Sequence, residues 1–337
     1  MQIAIALSNN QFGASDSIAD HQIIPDTDYT IAQLAKAVAE AQDFHKKFLV
    51  TTHVTEHGLI TSDKPDWAKS ILRKKSCSDA VVEKVGAAIL AKRRPSDIAP
   101  YCTYVQDCFD RKEPITFRIV FGPLKNVNLP MCQQSPDLAE YLTFVHLTRL
   151  LSAVSILYPY GVKAHIVPDN MRAQTANRCP VESVRSYING LIKLADGLGF
   201  NKWMTIEEDQ MRLYEDYHVE KYRMQAEEQL QQWKQMDATS FDVKWQSACW
   251  NARKNIPKAY ADDINEVESA AWRYLITHRA EILSGMWSPG EAFPLIYANH
   301  PNAYQIYSLD YKKTKLPWQI ALPTSLLPDV KIPGLNV

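Results

Sequence analysis

Lys125, in "PITFRIVFGPLKNVN" (residues 114–128), is a single ammonium just past an apolar run, with the amides Asn126 and Asn128 beside it. A second apolar run, "VKAHIV", leads directly into Pro168, Asp169 and Asn170, with Arg172 close behind. These side chains have defined chemical uses. An ammonium in a partly desolvated cleft can bind phosphate or carboxylate, or lose its proton and act as base or imine-forming nucleophile. A guanidinium such as Arg172 can grip a phosphate through two parallel donors, and the three amides add neutral donors and acceptors. The plainer alternatives are a solvated loop lysine beside turn-forming asparagines, and solvated arginines at 172 and 178.

The intervening pattern decides whether these residues can meet. Ile115 to Phe121 reads as a buried strand, ended by Gly122 and Pro123. Ser135 is placed to cap a helix whose first turn holds Pro136. Its apolar stripe includes Leu138, Tyr141, Leu142, Val145 and Leu150, and "YPYG" ends it. Val162 to Val167 alternates as a strand does, "PDNMRAQTANRCP" is a loop, and Val181 to Leu198 is a further helix. Strands joined through a helix run parallel, with a right-handed crossover. Their carboxyl ends then share one edge, where open α/β sheets bind ligands. Lys125 and Asp169 are thereby expected at one crevice.

Around this unit the chain reads as an α/β protein with a parallel β-α-β core and an inserted, mostly helical lobe. Tyr29 to Phe48, behind Asp28 as cap, and Ser78 to Lys92 read as helices. Ile206 to Met236 reads as a long amphipathic helix or a helix pair, and "DINEVESAAWRYLITHRAEIL" as another helix. "FPLIYA", "AYQIYSL" and "PWQIALP" are strand-like. The expected organisation is an α/β domain over 1–205, the helical lobe over 206–285, and strands completing the sheet with a Pro-rich tail over 286–337.

Composition narrows the function classes. The 337 residues are 46% hydrophobic and 22% charged with net charge −1, so no general field draws the chain to nucleic acid or anionic lipid. No apolar run is long enough for a membrane span, and the N-terminal residues lack a basic n-region. Six scattered cysteines without CxxC spacing fit reduced thiols, so a cytoplasmic protein is expected. The tryptophans of the lobe suggest base stacking, but its many acidic residues oppose that, and packing or a lid over the cleft is the plainer reading. "HVTEH" (53–57) matches the H-x-x-E-H zinc pattern. Its β-branched setting and the following Gly58 favour a strand, on which the two histidines lie too far apart to chelate easily. No Rossmann G-x-G-x-x-G, P-loop or G-x-S-x-G context occurs.

At Lys125 the chain resembles the isocyanide (isonitrile) synthases of the pyoverdine/dityrosine biosynthesis family. "KEPITFRIVFGPLKNVN" is similar to that family's "GEPI-x-F" strand running into "FPxKSPN". "SPDLAEYLTFVHLTRLLSAVSILYPYGV" is similar to "LPDMAEELAL…L…IYPPGA", and "VPDNMRAQTANRCPVESVRSY" to "SDGRVF…V-x-D-x-x-V-x-x-Y". "YANHPN" (His300) and "KLPWQ" (Gln319) look like "SIHP" and "TPWH". The resemblance implies a Rossmann-like sheet and a metal-independent reaction without a redox cofactor. In that reaction an amino acid amine condenses with a sugar phosphate of the ribulose 5-phosphate type. It implies Lys125 and Asp169 as catalytic residues and gives weight to His300; with the chemistry of the neighbouring side chains, the expected substrate-binding residues are Asn126, Asn128, Asn170, Arg172, His300 and Gln319. It also implies an iron/2-oxoglutarate oxygenase as pathway partner. "GPLKNVN", "PDN" and "PWQ" depart from the family pattern, with Gln319 in place of a histidine. The departures fit another substrate within the family, or a non-catalytic small-molecule binding or regulatory protein on the same fold.

Overall fold

The computed structural model describes residues 30–55, 57–61, 64–88, 95–125, 134–297, 303–305 and 316–335. α1 (Ile31–Thr51) starts at Thr30. The Thr30 hydroxyl accepts from the Gln33 N–H, and Gln33 Oε1 accepts from the Thr30 N–H. This reciprocal pair satisfies two donors that a helix start leaves open; the expected cap, Asp28, lies outside the described residues. β1 (His53–Thr55) and β2 (Gly58–Ile60) form an antiparallel hairpin, so "HVTEH" straddles a turn and not one turn of helix. α2 (Asp66–Leu72), α3 (Cys77–Ala88) and α4 (Ala99–Arg111) follow.

β3 (Ile115–Phe121), α5 (Leu138–Ser155) and β4 (Val162–Pro168) make the expected β-α-β unit. The strands are parallel, in register from Ile115↔Val162 to Phe121↔Pro168. Most side chains of both strands are buried, as in a sheet covered on both faces. The cap of α5 is Asp137, not Ser135: its carboxylate accepts from the Ala139 N–H while Glu140 accepts from the Asp137 N–H. A carboxylate with a glutamate three residues on closes both bonds at once.

Beyond β4 the expected loop contains a short helix, α6 (Asn170–Thr175), before α7 (Val181–Gly197) and β5 (Met204–Ile206). The lobe then runs through α8 (Met211–Asp216), α9 (Arg223–Met236), α10 (Ala238–Asn255), α11 (Lys258–Ala261) and α12 (Ile264–Ser284). The stretch 206–236 is thus the helix pair of the two alternatives, α8 and α9, and not one long helix. His218 takes a left-handed backbone, φ 50°, which an α-helix of L-residues cannot contain. β6 (Phe293–Ile296) and β7 (Tyr304–Gln305) return to the sheet. "PWQ" is a 3₁₀ turn over Pro317–Gln319 and not the start of a strand.

The parallel strands lie in the order β5-β4-β3-β6-β7, and the hairpin joins the start of β4 antiparallel through Leu59↔Val162. The protein is therefore mixed α/β with a mostly parallel sheet. α10 and α12 pack side by side, and an aromatic cluster of Trp233, Phe241, Trp245 and Trp272 fills the lobe. Those indoles serve packing, whereas Trp250 is 59% exposed. The lobe's apolar core takes in Val167 and Ile296 from the strand ends, which fixes it over the carboxyl edge of the sheet. No helix among the described residues is long and apolar enough to cross a membrane.

Candidate functional site

A cavity of about 560 Å³ lies between the carboxyl ends of β3, β4 and β6 and the inner faces of α10 and α12. This is the edge at which parallel α/β sheets bind ligands. One wall is backbone against indole. A Cβ on Gly122 would lie 2.2 Å from ring atoms of Trp318, so only glycine allows the C-terminal segment this close to the end of β3. Gly122→Ala is expected to push Trp318 off the wall and cost roughly 1–3 kcal/mol. Thermal unfolding at the wild-type temperature would show that the wall yields instead.

Asp169 reaches the cavity because its backbone N–H donates to the Phe121 carbonyl (2.8 Å), which fastens the start of α6 to the end of β3. Its carboxylate makes no capping bond. Oδ2 lies 3.3 Å from Arg172 Nη1, while Oδ1 is buried without a hydrogen-bond partner among the described residues. Burial drives the Asp169 carboxyl up to about 7, against the pull of Arg172 and with a further push from Glu281. A buried acceptor with no donor, titrating near neutrality in a cleft, is equipped to exchange a substrate proton.

Arg172 stands between two carboxylates. It also donates to Glu281, and its guanidinium lies 5.1 Å from the centre of the Tyr274 ring. Burial opposes its charge, but Asp169 and Glu281 outweigh that and hold its pKa well above the ordinary value. Glu281 is fully buried and further accepts from the Tyr214 hydroxyl and from Trp287 Nε1 (3.3 Å). The expected phosphate grip of Arg172 is therefore already occupied by protein carboxylates. Glu281 and Tyr214 escaped the sequence reading, although Glu281 continues the buried stripe Val267, Ala271, Leu275, where a carboxylate is out of place.

Lys125 borders the cavity, yet its ammonium is taken up by protein acceptors. The residue is fully buried. Nζ donates to Asp137 Oδ1 and to the carbonyls of Pro317 and Ile320, each at 2.9 Å, and lies 2.8 Å from Glu140 Oε2. Three N–H bonds are thus spread over four protein acceptors, leaving none for a ligand. Burial works against the charge, but Glu140 and Asp137 together hold the lysine pKa above its ordinary value. This geometry provides neither a free base nor an imine-forming amine, which corrects the expected ligand-facing role. Burial also raises Glu140, against Lys125. The donors on its oxygens (Lys125, the Asp137 N–H and, at 2.7 Å, the Tyr187 hydroxyl) suit its carboxylate form. Asp137 Oδ2 accepts from the Leu322 N–H (2.7 Å), so the network ties residues 317–322 to α5 and the end of β3.

The remaining expected residues divide. Gln319 lines the cavity, and its Oε1 accepts from the Leu316 N–H (3.4 Å). Asn170 is buried and does not line it: its Oδ1 accepts from the Gln210 N–H (2.8 Å), joining α6 to the start of α8. That bond corrects its expected substrate-binding role. Asn126, Asn128 and His300 lie outside the described residues. Among the described residues no cluster of three or more His, Cys, Asp or Glu side chains could hold a metal ion.

The family model for pyoverdine/dityrosine biosynthesis proteins matches residues 105–273, half of the chain. Among solved structures, the crystal structure of the PvcA protein from Pseudomonas aeruginosa superposes with a TM-score of 0.54 at 16% sequence identity. The match covers 71% of this chain and 87% of that one, and at this identity it speaks to the fold. No match was found among curated protein sequences.

Proposed function

The chain belongs to the pyoverdine/dityrosine biosynthesis family, and from that premise we propose that it is an isocyanide-synthase-like enzyme. It condenses the amine of an amino acid with the carbonyl of a sugar phosphate of the ribulose 5-phosphate type. The family supports a biosynthetic role, and the strand order β5-β4-β3-β6-β7 supports the Rossmann-like reading of the sheet. The single observation that carries the chemistry is Asp169, a buried carboxyl with one oxygen unpartnered at the sheet's carboxyl edge. In the first step Asp169 takes the ammonium proton, and the freed nitrogen lone pair bonds to the sugar carbonyl carbon. A second nitrogen proton passes to the carbonyl oxygen to give the carbinolamine. Asp169 returns its proton to that hydroxyl, which leaves as water as the C=N bond forms, with one proton still on nitrogen. Arg172, held by Glu281, orients Asp169. Lys125 acts on the reaction as a positioning residue, by holding Trp318 and Gln319 against the cavity.

The test is a mass-spectrometric screen of purified protein with ribulose 5-phosphate and pooled amino acids. The expected product is an amino acid that has gained one carbon and lost the corresponding hydrogens. Silence, with the protein folded and a known synthase active alongside, would remove the enzyme reading. The uptake of the Lys125 ammonium by protein acceptors favours a second reading, a small-molecule binding protein on the same fold. Saturable binding of the same compounds without product would establish it.

A further inference from the structure

α10 presents a polar stripe to the cavity: Lys244, Ser247 and Asn251 follow one another at helical spacing and all line it. Their side chains make no hydrogen bond or ion pair with any described residue. This sets Lys244 apart from the other cations of the site. Arg172 is bracketed by Asp169 and Glu281, and Lys125 by Asp137 and Glu140. Lys244 is partly buried with no ion-pair partner among the described residues. Burial, and after it the charge of Arg172, depress its pKa, so an anion placed beside it would relieve both effects.

We infer that Lys244, with Ser247 and Asn251, forms the anion subsite of the cavity and takes the phosphate ester of the substrate. The chemistry favours phosphate over a planar carboxylate. Ammonium, hydroxyl and amide rise successively along one helix face, offering donors from different directions to an oxyanion with three free oxygens. Lysine acts there as a point charge and not as a planar fork. The subsite belongs to the helical lobe, whereas Asp169 belongs to the sheet. A sugar phosphate would therefore span the two walls, its ester on α10 and its carbonyl toward Asp169. This assignment deepens the proposed reaction and shares its sugar phosphate, but it concerns binding alone.

The test is calorimetric titration of the full chain with ribulose 5-phosphate, with inorganic phosphate, and with tyrosine as a carboxylate probe. The variants are Lys244→Met, Lys244→Arg and, as a control, the exposed Lys258→Met. Lys244→Met is expected to weaken ribulose 5-phosphate by at least about tenfold, the loss of one charge-assisted contact of roughly 1.4 kcal/mol or more. Inorganic phosphate should weaken in parallel and tyrosine should not, while Lys244→Arg retains most of the affinity and Lys258→Met all of it. Unchanged ribulose 5-phosphate affinity in Lys244→Met overturns the assignment, as does failure of the wild type to bind any phosphate. A loss confined to tyrosine also overturns it, by making the subsite one for carboxylate. Phosphate binding through Lys244 without turnover of any amine would leave the subsite standing and remove the reaction. Product formation with an unchanged KM for the sugar phosphate in Lys244→Met would do the reverse.

Discussion

Lys125→Met is expected to destabilise the protein by about 3–5 kcal/mol at neutral pH, the usual cost of removing one partner from a buried ion pair. Methionine keeps most of the volume, so the loss reports charge and hydrogen bonding, not a cavity. Asp137 and Glu140 would remain buried without a cation, and the carbonyls of Pro317 and Ile320 would lose their donor. Lys125→Ala should cost somewhat more because it adds a void. The deficit has a pH signature. Carboxyls left uncompensated in the fold have raised pKa values, so the folded variant holds protons that its unfolded chain has already released. Its stability relative to wild type therefore falls as pH rises and partly recovers in acid. Denaturant unfolding of wild type and variant across pH measures this directly. A Lys125→Met variant with wild-type stability and no turnover would instead make the ammonium a reacting group.

Asp169→Asn is expected to reduce turnover by about 10²–10⁴-fold, the usual contribution of a positioned proton-transfer group. Stability should not fall. The folded carboxyl titrates at about 7, far above its ordinary range. Between roughly pH 4 and 7 the folded chain holds a proton that the unfolded chain has released, so Asp169 makes wild-type stability decline across that window. Above it, the full cost of burying the charge is present. The asparagine variant lacks this cost, so its advantage in stability should grow from about pH 4 and level off above about pH 7. If Asp169 is the base, wild-type kcat should rise through an inflection near pH 7 that is absent from the residual rate of the variant. Full activity in Asp169→Asn would take the proton-transfer role away from this residue.

How much of this was legible in the sequence depended on range. β3, α5 and β4 could be read because their periodicity and punctuation are local, and topology alone then brought Asp169 to the crevice. The same logic placed Lys125 at the strand end but gave no direction for its side chain. That direction is set by Asp137 and Glu140 in the next element and by carbonyls of Pro317 and Ile320 almost two hundred positions away. Such partners leave no periodic trace. Arg172 was assigned to an external phosphate because Glu281, which claims it, lies in a helix whose relation to the sheet no local pattern reveals. Strong helix formers on both sides of His218 left one helix and a helix pair equally open there. Lys244 lies between the two helical stretches read from the sequence, where no local pattern singled it out.

The latch formed by Lys125 and Asp137 has a consequence for how the protein comes into being. The indole and amide that line the cavity there belong to Trp318 and Gln319, and the indole presses against the backbone of Gly122. During synthesis the β-α-β unit leaves the ribosome long before those residues exist. Until they arrive, Lys125 has its carboxylates but not its carbonyls, and the cavity lacks a wall. Contacts so distant in the chain form late, after the loop-closure entropy of everything between them has been met. The nascent protein can therefore carry a formed sheet and still be unable to enclose a substrate. Competence for binding therefore waits on the docking of a few residues that lie far along the chain from the strand they close against.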